Sequence, residues 1–381
     1  MNILVVGGGG REHAIIKKLR ENERVETIYA LPGNGGIAQD AVCTGIAATD
    51  LDGIAAFARE NPVDFAVIAP DDPLVLGLAD RLRGLGIPCF GPSAKAAAIE
   101  GSKVFAKDLM RKYGIPTARY QVFTSSAEAL AYLETCPYPA VVKADGLALG
   151  KGVLICEDIA AARAAIASMD HKRALDGDQG LNTGGMGTIA PNPYYTPAIA
   201  KRCMEEIFLP TIRAMNAEGR TFKGCLYFGL MLTADGPKVI EYNCRFGDPE
   251  AQVVLPLLKT DLLTIFQAVE EERLAEVPVE FSQECACCVM VVSGGYPAHY
   301  EKGKAISIAP SAGAIYYHSG TARRPDGALV TSGGRVIGAT AVGDTLEAAI
   351  EKAYAAARGI TFEGAYMRSD IGQRALRAKE G

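Results

Sequence analysis

Tryptophan is absent from this 381-residue chain, histidine occurs four times, and aromatic residues make up only 7% of it. The missing tryptophan decides nothing, but other absences exclude whole classes of protein. The one Cys-x-x-Cys spacing, Cys285 to Cys288, falls inside an apolar strand-like run and no histidine stands at zinc-finger spacing, which argues against a structural zinc site. The ten cysteines are scattered at 43, 89, 136, 156, 203, 225, 244, 285, 287 and 288. Most sit in apolar strand-like runs such as Val153–Cys156 and Glu284–Val292, where reduced cysteine packs as a small hydrophobe. A reducing cytoplasm is the expected compartment. No apolar run approaches the roughly 20 residues a membrane span needs. The opening MNILVVGGGG has no basic n-region and no small-residue cleavage site, so no secretory signal is expected. Charge of one sign is scarce too. Lys and Arg number 39 against 44 Asp and Glu, a formal charge of −5 that gives no global field for nucleic acid. With 49% hydrophobic residues and no purely polar or repetitive stretch, disorder is excluded, and the length suits two or three domains.

Residues 1–102 alternate short apolar runs (Ile3–Val6, Thr27–Ala30, Phe65–Ala69, Cys89–Gly91) with helical patterns (His13–Arg20, Leu51–Arg59, Leu74–Arg83). That βαβ rhythm predicts an open parallel sheet. Lys103–Tyr113 reads as a helix, and Tyr138–Lys143 and Gly152–Cys156 as strands around a Gly-rich hairpin. The helix Ile159–Ser168 and the polar loop Asp170–Met186 follow. A helix at about 198–217, a hairpin at about 223–245 and a helix at about 250–272 complete a middle α+β region. From about 276 the pattern is mostly strands, with one late helix at Leu346–Arg358.

Four segments carry candidate chemistry. Val5–His13 runs from a strand through Gly7, Gly8, Gly9 and Gly10 into a helix, an arrangement of free N–H groups suited to an anion. The third glycine of a dinucleotide fingerprint would fall at Glu12, and the next strand ends in Pro32-Gly33-Asn34 rather than an acid, so NAD is disfavoured. A tight turn without a ligand is the alternative. Val141–Val153 holds Lys143, Gly146, Gly150, Lys151 and Gly152 and resembles a Walker loop one residue short. It either folds over a polyphosphate or stands as an exposed hairpin with solvated lysines.

Val239–Glu250 is the most informative segment. As a strand it places Glu241, Asn243 and Arg245 on one face, and Ile240, Tyr242 and Cys244 on the other. A carboxylate and an amide oxygen at that spacing suit Mg²⁺, and Arg245 beside them suits a carboxylate or phosphate. An ordinary polar strand face is the alternative, weakened by the Gly247-Asp248-Pro249-Glu250 turn directly after it. Finally, Asp170–Met186 is dense in charges and glycines and reads as an anion loop or as a solvated one. No Ser-His-Asp or Cys-His arrangement can be argued. Together the segments point to phosphoryl transfer driven by positioning and charge neutralisation.

In this order they resemble the phosphoribosylamine–glycine ligases (glycinamide ribonucleotide synthetases), ATP-grasp enzymes of purine biosynthesis. The matching pieces are Gly8–Ala14, Pro32-Gly33-Asn34, Phe90–Ser93, Glu100–Lys103, Val142–Gly152, Asp170–Arg173, Asn182–Gly187, Asn243–Glu250, Gly294–Pro297 and Ser332–Val336. The resemblance implies an α/β and α+β fold in three parts. These are an N-terminal open parallel βαβ domain over 1–102, a central ATP-grasp fold over 103–275 with a shortened lid at about 115–169, and a C-terminal mostly β domain over 276–381. The reaction implied is ATP + glycine + 5-phosphoribosylamine → ADP + phosphate + glycinamide ribonucleotide, through glycyl phosphate. Glu241 and Asn243 would hold Mg²⁺ or Mn²⁺, and Lys103, Lys143, Gly146, Gly150, Lys151 and Gly152 would bind ATP. Arg245, Asp248, Lys172 and Arg173 would act on the reacting groups. Gly8, Gly9, Gly10, Arg11, Glu12, Asp170, Asn182, Thr183, Gly184, Gly185 and Met186 would hold glycine, acyl phosphate and sugar phosphate. The partners implied are small molecules, neither nucleic acid nor membrane, acting on a monomer or weak dimer.

One departure stands out. Met169 runs straight into Asp170, where the family carries on the order of forty further residues, including a Glu-rich strand that grips adenine and ribose. Lids are commonly mobile, which favours a segment missing from the sequence as read over a protein without it. The smaller departure Pro70-Asp71-Asp72-Pro73, for Pro-Glu-Ala-Pro, is tolerable. The ligase is the main expectation. Beside it stand another ATP-grasp carboxylate–amine ligase and a lid-deleted, non-catalytic binder of phosphoribosyl compounds or nucleotide.

Overall fold

Alternate residues of the first strand, β1 (Asn2–Gly7), enter two different cores. Leu4 and Val6 join a cluster that runs on into Ala106, Leu109, Val239 and Tyr242. Ile3 and Val5 join one containing Ile15, Ile16, Leu255 and Phe266. A strand buried on both faces is the expected centre of a parallel sheet covered by helices. The computed structural model describes residues 1–143, 145, 153–156, 158–167 and 183–378. In it β1 pairs in parallel with β2 (Thr27–Pro32), which pairs with β3 (Val42–Cys43), and on its other side with β4 (Phe65–Ile68), which pairs with β5 (Cys89–Phe90). The sheet order is β3-β2-β1-β4-β5. Its strand order reverses beside β1, so the crevice past the carboxyl ends of β1 and β4 is the natural ligand position. The glycine turn into α1 (Gly10–Leu19) sits there.

Around this sheet run α2 (Leu51–Glu60), α3 (Asp71–Val75), α4 (Leu78–Gly84) and α5 (Ala94–Gly101). The chain leaves it through α6 (Lys103–Lys112), whose N-cap Ser102 accepts the Phe105 amide at 3.1 Å. The expected hairpin is present as β6 (Ala140–Lys143) paired antiparallel with β7 (Val153–Cys156). A short strand, β8 (Gly187–Ala190), precedes helical segments at Pro197–Cys203 and Leu209–Ala217, joined by a π turn. Then β9 (Tyr227–Thr233) turns back as β10 (Gly236–Asn243).

Two local expectations differ. The helix expected at about 250–272 is two helices, Ala251–Leu257 and Leu262–Glu270. Leu258 is extended, and Asp261 starts the second by accepting the Thr264 amide at 2.7 Å. The register of β10 also slips between Val239 and Glu241, so Ile240 is exposed while Val239, Tyr242 and Cys244 are buried.

The C-terminal sheet centres on β11 (Cys285–Ser293), with the strand Arg335–Gly343 along one side and Ala314–His318 beyond it. Along its other side β11 pairs with Ala365–Tyr366 and with β8, in register Gly187↔Val289 to Ala190↔Ala286. A strand from the middle of the sequence thus belongs to the last sheet. The helix Leu346–Arg358, capped by Thr345, closes this core. Among the described residues no helix is long and apolar enough to cross a membrane.

Candidate active site

The glycine turn is shaped by one carboxylate. Glu12 Oε2 accepts the Gly9 amide at 2.6 Å and Oε1 accepts Arg11 Nε at 2.7 Å, with both side chains buried. Glu12 therefore builds the turn rather than facing solvent. Asn34 Nδ2 donates to the Gly8 carbonyl at 2.9 Å and to the His318 carbonyl at 2.7 Å, tying the turn to the C-terminal sheet. At Gly10 a Cβ would stand 2.6 Å from both Gln252 Nε2 and Ser319 Oγ, so a side chain there would displace both where the three parts of the chain meet.

Against this turn lies the end of β10. Arg245 and Arg11 both donate to the Phe246 carbonyl, at 3.2 and 3.3 Å. Arg245 Nη2 also pairs at 3.0 Å with Glu100, the residue before the last in α5, and Glu100 accepts the Cys244 amide at 2.6 Å. Asp248 accepts Gln252 Nε2 at 2.6 Å and Arg335 Nη2 at 2.7 Å. Three arginines, one from each expected domain, are each matched by a carboxylate: Arg11 with Glu12, Arg245 with Glu100, Arg335 with Asp248. Burial raises the Glu100 carboxyl, and Arg245 offsets only part of that. Burial also pushes Asp248 up, but Arg335 and Arg11 outweigh it and hold it below the ordinary carboxylate range. A buried carboxylate kept ionised among guanidinium groups is a ready partner for an amine or hydroxyl donor.

The second half of the site lies along β10 and α6. Glu241 and Asn243 alternate with buried Tyr242 and Cys244, so both are half-buried on the partly open face. A carboxylate and an amide oxygen there form a hard, oxygen-only donor set that fits Mg²⁺ or Mn²⁺. Lys143 Nζ reaches the Ile240 carbonyl at 3.3 Å, bringing the hairpin onto β10. Asp145 accepts the Val104 amide at 3.2 Å beside Lys103 at the start of α6. One turn along, burial and the neighbouring Lys143 lower Lys107 to about 8.

Lys107 and Gln252 lie outside every motif run of the sequence, whereas Glu100 and Arg335 lie within the runs Glu100–Lys103 and Ser332–Val336, which carry the only local signal for them. The Met186 side chain is buried in the C-terminal core cluster that also holds Val253 and Leu257. Thr183 Oγ1 accepts the Gly185 amide at 3.0 Å and Gly184 donates to Tyr296 Oη at 3.0 Å, fixing that loop. Gly146, Gly150, Lys151, Gly152, Asp170, Lys172, Arg173 and Asn182 lie outside the described residues.

Comparison with known proteins decides the family. The profile described as Phosphoribosylglycinamide synthetase, N domain, matches residues 1–100, its ATP-grasp (A) domain matches 101–170 and 166–251, and its C domain matches 286–374. A phosphoribosylamine–glycine ligase of Caldanaerobacter subterraneus subsp. tengcongensis is 44% identical over 414 aligned residues, covering 97% of this chain and 99% of that protein. The chain belongs to the phosphoribosylamine–glycine ligase family. A second family member, from Clostridium acetobutylicum, is 41% identical over 98% of this chain and 100% of its own length. The crystal structure of the phosphoribosylamine–glycine ligase of Thermotoga maritima superposes with a TM-score of 0.83 at 31% identity, covering 97% of this chain and 100% of that one. The biotin carboxylase domain of a Hydrogenobacter thermophilus carboxylase, solved with MgADP, shares the ATP-grasp fold at 15% identity and a TM-score of 0.68. The 414 aligned residues of the first relative exceed the 381 of this chain, so that ligase carries residues for which this chain has none.

Proposed function

We propose that this protein joins glycine to 5-phosphoribosylamine at the expense of ATP, giving glycinamide ribonucleotide, ADP and phosphate. The convergence of the Gly8–Glu12 turn, the Glu241–Asp248 segment and the Thr183–Gly185 loop on one crevice carries this reading, within a family matched over nearly the whole chain. The glycine carboxylate attacks the γ-phosphoryl group to form glycyl phosphate and ADP. The phosphoribosylamine nitrogen then attacks the acyl carbon and phosphate leaves. No covalent bond to the protein is needed, so the side chains act by position and charge.

In this reading Lys103 and Lys143 contact the nucleotide phosphates. Arg245 steadies the acyl phosphate. Asp248 orients the reacting groups, while Thr183, Gly184 and Gly185 contact glycine and the sugar phosphate together with the glycine turn and Arg11. Glu241 and Asn243 would hold Mg²⁺ or Mn²⁺, which neutralises phosphate charge when bound. Among the described residues no disulfide joins the ten cysteines, in keeping with a cytoplasmic enzyme acting on small molecules.

A second reading, a lid-deleted binder without turnover, draws on the aligned length that this chain does not fill and on the two-piece match of the ATP-grasp profile. ADP release separates the two. The ligase requires both glycine and phosphoribosylamine for release, and Glu241→Ala abolishes it. Release without glycine overturns the ligase; retained nucleotide binding with no turnover selects the binder.

A further inference from the structure

Arg335 opens a strand of the C-terminal sheet, yet its guanidinium serves the other side of the crevice. Nη1 donates to the carbonyls of Gly184 and Asp248, both at 2.7 Å, and reaches Gly185 at 3.5 Å. Nη2 donates to Asp248 Oδ2 at 2.7 Å. Its backbone is anchored independently: its carbonyl accepts the Gly320 amide at 2.8 Å, and the strand pairs with β11 at Val292. The group is thus a fixed cation reaching from one sheet to two loops. Asp248 is held at its other oxygen by Gln252, so the carboxylate has no freedom to turn. Gly184 leaves room for this contact, since a Cβ there would lie 3.0 Å from Arg335 Cζ.

We propose that Arg335 is a positioning residue for ligation: its planar fork locks the Gly184 loop and the Asp248 turn into one surface, so the amine side of the site is complete only while the C-terminal sheet is docked. This rests on the ligase reading, in which Asp248 and residues 183–185 face substrate. A guanidinium can donate to two carbonyls and a carboxylate from one rigid planar group; a lysine ammonium supplies charge without that geometry.

The test is steady-state ADP release by the wild type, Arg335→Ala and Arg335→Lys, varying each substrate in turn. Both variants should raise KM for glycine or phosphoribosylamine roughly 10- to 100-fold, the scale seen when an outer support of a site is removed. The KM for ATP should stay within about twofold, since its contacts lie elsewhere. Ethylguanidinium should restore part of the activity of Arg335→Ala, and ethylammonium should not. Hydrogen exchange should quicken at 183–187 and 245–250 and be unchanged in β1. Unchanged KM values, or an equal rise for all three substrates, overturn the proposal. If Arg335→Ala does not fold, Gly184→Ala, which pushes the guanidinium aside, must give the same KM pattern, and wild-type kinetics in it overturn the proposal. A wild type that does not ligate overturns the ligase reading instead, and the exchange data alone then decide whether the clamp exists.

Discussion

Glu100 holds Arg245 from a distance of 145 positions in sequence: one carboxylate oxygen meets Arg245 Nη2 at 3.0 Å and the other takes the Cys244 amide at 2.6 Å. Arg245 Nε is buried and has no hydrogen-bond partner among the described residues. The guanidinium is therefore oriented from the end of α5 together with the neighbouring Phe246 carbonyl. Glu100→Gln should lower kcat for ADP release roughly 10- to 100-fold. Because the two side chains act as a unit, Glu100→Gln combined with Arg245→Ala should fall little further than Arg245→Ala alone. Additive losses would show that the pair does not work together.

Asn243 offers a separate test of the oxygen donor pair. Asn243→Ala should raise the Mg²⁺ concentration for half-maximal ADP release by roughly 10-fold or more. The midpoint of urea unfolding without metal should be unchanged, since the residue is only half-buried. An unchanged Mg²⁺ requirement would remove Asn243 from the metal site.

Lys107 predicts how nucleotide binding responds to pH. Burial and Lys143 lower it to about 8, so it is a cation below that value and loses its charge above it. The KM for ATP should therefore rise between pH 7 and 9 by roughly 10-fold, the lower range of a charged hydrogen bond. In Lys107→Met the KM should be high at pH 7 and nearly flat. A wild-type profile that stays flat would place Lys107 outside the nucleotide's reach.

Stability should fall on the acid side through the join between the first and last sheets. His13 Nδ1 accepts the His318 amide at 2.9 Å, which leaves its proton on Nε2, 2.9 Å from Asp40. Burial lowers His13, and burial together with His13, Lys17 and Arg323 brings His318 to about 3. Below about pH 6.5 the unfolded chain protonates both rings more readily than the folded one. Stability is therefore lost as pH drops from 6.5, by about 1.4 kcal/mol per pH unit through His318, with His13 adding in the same direction. The hydrogen bond from His13 outweighs burial and holds Asp40 at about 2, so its contribution is present above 3.8 and lost as pH falls through 2. Urea midpoints measured from pH 7 to 4 should fall, and less steeply in His318→Gln. A flat wild-type series would contradict the buried neutral state.

Local signals in the sequence carried far. The strand-to-helix glycine turn, the helix Leu346–Arg358 and the polar alternation at Glu241 and Asn243 all follow from short-range pattern, because periodicity and turn chemistry are properties of neighbouring residues. Partnerships across the fold were hidden. Nothing near Arg335 indicates Asp248, and nothing near Glu100 indicates Arg245, since such pairs exist only once the sheets are docked. The burial of Met186 is equally hidden, because a loop rich in glycine and charge gives no local sign that its long apolar side chain reaches a core. At Ile240 a register slip broke an alternation that assumes an unbroken strand.

The placement of β8 sets an order of events during synthesis. Residues 187–190 emerge well before their partner strand at 285–293, so on the ribosome this strand has no edge to join until β11 has been made. A fragment ending before β11 would leave that apolar segment without its partner. A fragment beginning at 276 would present β11 with one side bare over 286–289. The chain offers no point at which the last sheet can be cut away whole.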